Sequence, residues 1–578
     1  MKTLASTPMI VLAVILAPSP ASLSAAVDYG VFNGSSENTY SSSAKYVQWG
    51  LINAFDAIGL QRRGYWHCGP ADFMEDSLLP GSTRCEAADW STVTVYNGGT
   101  VTLRDCPASE FYLFLGTRNW WNGENWTTSR SMRLGESWGV YPGSCRYFFA
   151  VGSDTIARGP AMSDAGWPTF SLPSQCDEYN TMHAYPFRIW KPVMTDGLRM
   201  VMGLTGYHYF TDADQEKWQK FGAYWRNGYS IAESFARTAL DAHPNHMPIV
   251  LAQAASYASC DWMLEREHDF LTERPAGNTH FVCSTWIFDR ERTYDGYYVW
   301  CRSSVANLLS RSTGAQARQG IPAPKTLHVL GFTEGASVDS LLPEKKPSTM
   351  DDKQQLWVDR RTGNRYYRQT PVSEQAQGPC VLTVEESLEK AVAFVEDHGL
   401  APLDELTLDG VVTISRMIAS AEEIDTNTYS HKPEISGYII VLKRNLGDLP
   451  ILTNDVDTVT VEIGANGEVA SAVSNYRSGG TLAERETVTP KFLTAGEAKK
   501  GLLKPGTAAE VTAGFLPTQD GSLVPVYEVV TQTRAGESSP QATVKYYRMD
   551  TLEPLGSNGR SDAGPEAHGA APASAQGR

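Results

Sequence analysis

The sequence has no excess of positive charge and no long apolar run beyond its first residues. Its 578 residues carry a formal net charge of −16. A chain this acidic repels phosphate backbones and anionic lipid headgroups, so neither a nucleic-acid partner nor a membrane-binding surface is expected. A membrane-spanning helix needs about 20 consecutive apolar residues, and no stretch after residue 17 provides them. The remaining composition is ordinary for a globular protein of several domains.

Short motifs for cofactors and metals are missing as well. The chain has no Walker loop, no dinucleotide-binding fingerprint and no HExxH, so no cofactor is predicted. Its nine cysteines have no CxxC or CxxH spacing, and no metal site is predicted. One GxSxG sequence occurs at Gly135–Gly139. It lacks the preceding strand and following helix that such a serine needs, and we interpret it as a chance match.

The first 26 residues have the layout of a secretory signal. Lys2 is followed by the apolar run Met9–Ala17 and then by the small residues Ser24–Ala26. The mature protein is therefore predicted to be secreted, where cysteines tend to form disulfides. In such a compartment the sequons at Asn33 and Asn125 are predicted glycosylation sites.

Tryptophan and cysteine divide the rest of the chain. Fourteen of its 15 tryptophans and eight of its nine cysteines precede residue 302. We predict an aromatic-rich, disulfide-bearing α/β domain over 27–340 and a polar linker over 341–380. An acidic, smaller α+β antiparallel domain is predicted over 381–552, and a disordered tail over 553–578.

The α/β prediction depends on short apolar runs that alternate with helical patterns. These runs read as strands that are buried on both faces, which is typical of a mainly parallel sheet flanked by helices. The predicted strands are Phe111–Gly116, Arg146–Gly152, Leu198–Gly206 and Pro248–Ala252. The predicted helices are Lys45–Ile58 and the stretch that follows a capping box at Ser230–Glu233. In the second domain, alternation around Asn466 and Gly467 predicts a hairpin over Thr458–Tyr476.

Over residues 28–290 this order resembles the caspase/gingipain-like cysteine peptidase fold. The stretches that carry the resemblance are Gly64–Trp66, Leu198–Gly206 and Phe221–Phe235, together with the two Gly-closed strands. The C-terminal part resembles PepSY-like domains, which chaperone or inhibit a partner, through Tyr438–Arg444 and Val459–Val473.

The resemblance implies a catalytic His after the first Gly-closed strand and a Cys nucleophile after the second. In this chain the two positions read Gly116–Asn119 and Gly152–Thr155, without either residue. The chain is therefore predicted to be a pseudopeptidase, because the imidazole that would accept the thiol proton is missing together with the thiol.

A different site is predicted at the same strand ends, where ligands bind in open α/β sheets. Its catalytic residues are Arg118, Asp154 and His208, of which Asp154 and His208 would be the acid/base groups. Its ligand-binding residues are Asn119, Trp120, Trp121, Ser153 and Tyr207. This site is predicted to bind a mainly apolar small molecule, or a glycan, or to tailor the small molecule by acid/base isomerisation or cyclisation.

Two other functions stay open. One is a secreted cysteine hydrolase that uses a relocated nucleophile, Cys145 or Cys176. The other is a non-catalytic surface interaction protein, and the oligomeric state is undetermined. We interpret His243 and His246 as turn residues rather than metal ligands, and the mixed-charge run Glu265–Asp269 as a solvated helix face.

Overall fold

The structure is a computed structural model of the full chain. It describes residues 28–33, 43–67, 90–94, 100–104, 111–115, 117–118, 125–127, 131–133, 147–151, 156, 186–187, 190, 199–204, 208–270, 282–290, 325–333, 355–369, 378–426, 428–431, 433–447, 449–454, 456–477, 481–504, 509–532 and 542–556.

These residues form strands and helices that are numbered in chain order. The first thirteen strands are β1 (Asp28–Asn33), β2 (Gln61–His67), β3 (Trp90–Thr94), β4 (Thr100–Arg104), β5 (Phe111–Leu115), β6 (Thr117–Arg118), β7 (Asn125–Thr127), β8 (Ser131–Arg133), β9 (Tyr147–Val151), β10 (Met200–Leu204), β11 (Tyr209–Phe210), β12 (Pro248–Ala254) and β13 (Val282–Arg290). The remaining strands are β14 (Leu327–Thr333), β15 (Gln355–Asp359), β16 (Asn364–Arg368), β17 (Leu406–Ser420), β18 (Glu434–Arg444), β19 (Thr458–Ile463), β20 (Val469–Ser474), β21 (Thr481–Val488), β22 (Ala509–Pro517), β23 (Leu523–Gln532), β24 (Ala542–Arg548) and β25 (Pro554–Leu555). The helices are α1 (Ser43–Ala57), α2 (Asp214–Trp218), α3 (Lys220–Arg226), α4 (Ile231–Ala242), α5 (Tyr257–Arg266), α6 (Val384–Asp397), α7 (Ala421–Thr426) and α8 (Ala495–Leu502), with a 3₁₀ turn at Leu403–Glu405.

The main feature of the fold is one 13-stranded sheet, ordered β15-β16-β20-β19-β18-β17-β13-β12-β10-β9-β5-β1-β2. Strands β2, β1, β5, β9 and β10 pair in parallel. From β10 to β15 every neighbouring pair is antiparallel. The predicted fold class, a mainly parallel sheet followed by a separate antiparallel domain, is therefore wrong. The sheet is mixed and largely antiparallel, and β13 hydrogen-bonds directly to β17.

The physical reason for the error lies in strand β12. Pro248–Ala254 is buried along its whole length, as predicted for a central strand. It nevertheless runs antiparallel to β10, although α2, α3 and α4 separate the two strands along the chain, as in the crossover that joins parallel strands. A strand that is buried on both faces has the same apolar pattern in either direction.

Several local predictions are confirmed. Helix α1 lies within one or two residues of the predicted range. Helix α4 begins with the predicted capping box, in which Ser230 and Glu233 exchange hydrogen bonds. The β19–β20 hairpin turns at Gly467, whose φ of +75° suits glycine. The segment predicted as a polar linker contains the β15–β16 hairpin, which forms one edge of the sheet.

Two apolar cores cover opposite faces of the antiparallel half. On β17 and β18, Val412 and Ile439 belong to the core formed with α1–α5, whereas their neighbours Val411 and Ile440 belong to the core beneath α6. This follows from the two-residue repeat of a strand. A second sheet, β11-β24-β23-β14-β21 with β22 and β25 attached, has a core of its own.

We predict that Gly50→Ala destabilises the fold by about 1–3 kcal/mol. A Cβ at Gly50 of α1 would lie 2.5 Å from the Gln215 carbonyl oxygen and 2.8 Å from Trp218 Cβ, so α2 would have to move. Urea denaturation measures the loss. Gly496→Ala in α8 is the matched control, because its Cβ meets only Thr494 Oγ1 at 4.0 Å. The control should raise stability by up to about 1 kcal/mol, and an equal rise at Gly50 would contradict the packing of α1 on α2.

Candidate functional site

A cavity of about 360 Å³ lies between the ends of two helices and the antiparallel half of the large sheet. This volume is within the range of small-molecule sites. Glu233 of α4 and residues Leu264–Arg266 of α5 line one wall of the cavity. The remaining lining residues are Gly228, His268, Trp286, Arg368, Gln369, Ile414, Arg416, Ser436, Gly437, Glu462, Ile463, Gly464, Ala465, Asn466 and Ala470.

Hydrogen bonds between helix ends fix one wall of this cavity. The Ser230 hydroxyl donates to the Leu264 carbonyl oxygen over 2.7 Å, and the Ile231 amide donates to the Glu267 carbonyl oxygen over 2.8 Å. The start of α4 is thereby held against the end of α5. Groups at helix termini that would otherwise be unsatisfied find partners in this way, and residue 265 is held at the cavity.

Glu265 is the most perturbed acid of the cavity. Burial raises the pKa of its carboxyl to about 7, and the nearby Arg416 guanidinium only partly opposes that shift. Among the described residues, no hydrogen bond or ion pair reaches the Glu265 carboxylate. A carboxyl of this kind exchanges a proton near neutral pH, which suits both acid/base chemistry and ligand recognition.

The two arginines of the cavity differ in how many of their N–H groups already donate hydrogen bonds. Arg368 donates to Glu233 Oε2 at 2.7 Å, to the Glu265 carbonyl oxygen at 3.1 Å and to the Gly228 carbonyl oxygen. Arg416 donates to Asp261 Oδ1 at 2.7 Å, which leaves further N–H groups on its guanidinium. Arg368 therefore cross-links the residues of the wall, whereas Arg416 retains N–H groups that could donate to a ligand.

The rest of the lining is largely apolar. Trp286 is paired across the sheet with Arg416, so the two side chains are neighbours on one face. Leu264 and Ile414 also line the cavity. Gln369 Oε1 is a buried acceptor for which the described residues supply no donor. The cavity thus combines apolar walls with a few polar groups, the usual composition of a small-molecule site.

A buried ionic network lies beneath the cavity and joins α4 to the sheet. Arg237 pairs with Glu462 of β19 and donates to the Ser471 hydroxyl of β20 at 2.6 Å. The Tyr229 ring contacts two guanidinium groups, since Arg237 Cζ and Arg368 Cζ are each 4.9 Å from its centroid. Because these charged groups lie where apolar side chains would otherwise pack, the floor of the cavity is polar.

His208, a predicted acid/base residue, lies elsewhere. It is fully buried, stacks on Phe210 at 4.1 Å and has Nε2 3.9 Å from Asp214 Oδ2. Burial and the neighbouring His246 lower the pKa of His208 well below its usual value. Burial raises the pKa of Asp214 to about 7. His208 does not line the cavity beside Glu265.

For the other residues of the predicted site, the structure does not show whether they lie close together. Arg118 ends β6, whose backbone pairs with β7. The residues Asn119, Trp120, Trp121, Ser153, Asp154 and Tyr207 lie outside the described residues. Asn33 ends β1 and Asn125 begins β7, and their glycosylation stays a prediction. The predicted site therefore stays a prediction.

The interpretation of the mixed-charge run at the end of α5 as a solvated face is wrong. Glu267 is fully buried, where it accepts hydrogen bonds from Tyr147 Oη at 2.6 Å and Arg199 Nε at 2.5 Å. Glu265 lines the cavity. No signal within the run separates these acids from solvated ones, because their surroundings come from other parts of the chain.

The histidine pair and the cysteines have structural surroundings where they are described. His246 Nε2 accepts the Tyr209 amide at 2.9 Å, and no cluster of described side chains could hold a metal ion. The described cysteines, Cys260, Cys283 and Cys380, are thiols rather than disulfides. Cys145 and Cys176 lie outside the described residues. No described helix has the length and apolarity to cross a bilayer.

Comparisons with known proteins add little. No family model and no curated protein matches the chain. Among solved structures, the chain is similar to the Bacillus megaterium YpeB C-terminal domain, with 13% identity over 43% of this chain and 94% of that one. The TM-score is 0.21, so this distant likeness carries no argument about fold or activity.

We predict that Glu462→Gln destabilises the protein by about 3–5 kcal/mol, since it leaves the buried Arg237 guanidinium without its counter-charge. Adding Arg237→Met should recover much of that loss. Urea denaturation of both single variants and the double variant measures the coupling.

The matched control is Glu468→Gln. Glu468 pairs with Lys390 at 2.7 Å, but its side chain is 51% exposed. Its removal should therefore cost less than about 1 kcal/mol. Strictly additive losses in the Arg237 and Glu462 variants would contradict a coupled buried pair.

Proposed function

We propose that this protein binds a small, mainly apolar molecule in the cavity beside Glu265, and that Glu265 is its acid/base group. The observation that carries the proposal is a cavity of about 360 Å³ lined by the Glu265 carboxyl, which no hydrogen bond or ion pair of the described residues reaches and whose pKa burial raises to about 7. Perturbed acids that line a cavity are enriched at functional sites.

The polar groups of the cavity define the part of the ligand that they would recognise. The Glu265 carboxylate and Gln369 Oε1 accept no hydrogen bond from the described residues, and Arg416 retains N–H groups that can donate. A ligand with an apolar body against Leu264, Trp286 and Ile414 and one amine or hydroxyl group satisfies this arrangement. Proton transfer between that group and Glu265 would support isomerisation or cyclisation.

The cellular setting and the C-terminal part belong to the same proposal. Residues 1–26 have the layout of a secretory signal, which supports an exported ligand-binding protein. A PepSY-like character of the C-terminal part is proposed from Tyr438–Arg444 and Val459–Val473. Strands β17, β18 and β19 from that part supply one side of the cavity, so it would take part in binding directly.

The pH dependence of stability tests the state of Glu265. Its pKa in the folded protein is about 7, against an ordinary value of 4.5. Between these values the folded state holds a proton that the unfolded state has released, so the free energy of unfolding falls as pH rises from about 4.5 to about 7. Glu265→Gln should remove this contribution to the slope, as measured by urea denaturation across that range. An unchanged slope would contradict the raised pKa.

Ligand binding is tested by a thermal-shift screen of the full chain with small apolar amines and alcohols. We expect a hit that raises Tm. Ala470→Phe, which fills the cavity, should abolish the shift, and Glu265→Gln should weaken binding about tenfold, a loss of about 1.4 kcal/mol.

Glu389→Gln on α6 is the matched control, because Glu389 is exposed and does not line the cavity. It should bind the hit as the unaltered chain does. Full affinity for every hit in both cavity variants would refute the proposed site.

A further inference from the structure

A second cavity, of about 300 Å³, lies at the opposite end of helix α4. It is formed by α2, α3, the end of α4, the turn between β15 and β16, and the segment that follows β22. Its lining residues are Ala213, Glu216, Lys217, Lys220, Ala223, Tyr224, Asp241, Thr362, Asn364, Tyr366, Val456, Pro517, Thr518 and Gln519. None of them lines the cavity beside Glu265.

Lys217 is the unusual residue of this second cavity. Its side chain is only 4% exposed, and its Nζ donates to the Ala242 carbonyl oxygen at 3.1 Å. An ammonium group has three donors, and no carboxylate of the described residues lies within 4.0 Å of this one. A buried ammonium that lacks a counter-charge is costly. The site therefore contains a positive charge that the described chain does not neutralise at close range.

The other charges around the cavity do not supply the missing partner. Asp241 Oδ2 is shared between Lys220 Nζ at 3.4 Å and the Tyr224 hydroxyl at 2.9 Å. Glu216 is exposed, and water screens its charge. Asp214 interacts with Lys217 only at longer range, and burial raises its pKa to about 7.

A second donor comes from a different part of the fold. The Tyr366 ring of β16 is 1% exposed. Its hydroxyl oxygen accepts a hydrogen bond from Asn364 Nδ2 at 3.5 Å, and the hydroxyl also hydrogen-bonds with the Thr362 side chain. Burial raises the pKa of Tyr366 and both bonds lower it, as bonds donated to its oxygen do, so its proton is left for an acceptor in the cavity. Lys217 and Tyr366 thus both present donors, and one of them is charged.

We propose that this second cavity binds a small molecule bearing an oxyanion, whose oxygens accept hydrogen bonds from Lys217 Nζ and the Tyr366 hydroxyl. Carboxylate, sulfate and phosphate groups share this chemistry. The cavity is larger than such an ion alone, so the oxyanion is part of a larger ligand. This site is independent of the one beside Glu265, and either proposal can fail without the other.

The test uses the full chain and three probes, namely inorganic phosphate, sulfate and acetate. Each is titrated by calorimetry at constant ionic strength against sodium chloride. At least one probe should bind and raise Tm by about 2 °C at saturating concentration. Lys217→Met should increase the Kd for that probe at least tenfold, whereas Lys500→Met, on an exposed part of α8, should leave the Kd unchanged.

Tyr366→Phe removes one hydroxyl and keeps the packed ring, so it tests the site if Lys217→Met fails to fold. It should increase Kd about three- to tenfold. Preference for phosphate and sulfate would assign a tetrahedral anion, and preference for acetate a carboxylate. Absence of binding by all three probes, or equal Kd values in the unaltered chain and both cavity variants, would overturn the proposal.

Discussion

One buried ion pair ties distant parts of the chain together. Arg237 on α4 pairs with Glu462 on β19, 225 residues further along, and both side chains are almost fully buried. Neither charge is stable in that position without the other. The pair therefore fixes a helix from the first half of the sequence on strands from the second half. It also provides the polar floor of the cavity in which Glu265 loses its hydration.

The continuous sheet explains why the fold class could not be predicted correctly from the sequence. Individual elements were predictable, because α1, the capping box of α4 and the hairpin at Gly467 depend on residues close together in the chain. The direction of β12 and its junction through β13 to β17 depend on pairing partners far away. A composition change along the chain, such as the loss of tryptophan after Trp357, does not mark a break in the sheet.

The candidate site was missed for a related reason. Glu265 and Glu267 stand in a run of charges that is typical of a solvated helix. What buries Glu267 is Tyr147, 120 residues earlier, and what faces Glu265 is Arg416 of β17. Only three-dimensional packing decides which acid of such a run is desolvated. His208 shows the opposite case, since a polar residue near a strand end is enclosed by aromatic rings in this fold.

The two cavities share a physical property that distinguishes them from the packed cores of the described chain. Near the start of α4, no described residue makes a hydrogen bond or ion pair with the Glu265 carboxylate, and near its end no described carboxylate lies close to the Lys217 ammonium group. Elsewhere in the described chain, Lys443 is paired with Asp409 and Arg477 with Asp457. Desolvated groups without partners lower stability, and apolar side chains of similar size would remove that cost. The retention of such groups at both cavities supports the two proposed ligand sites.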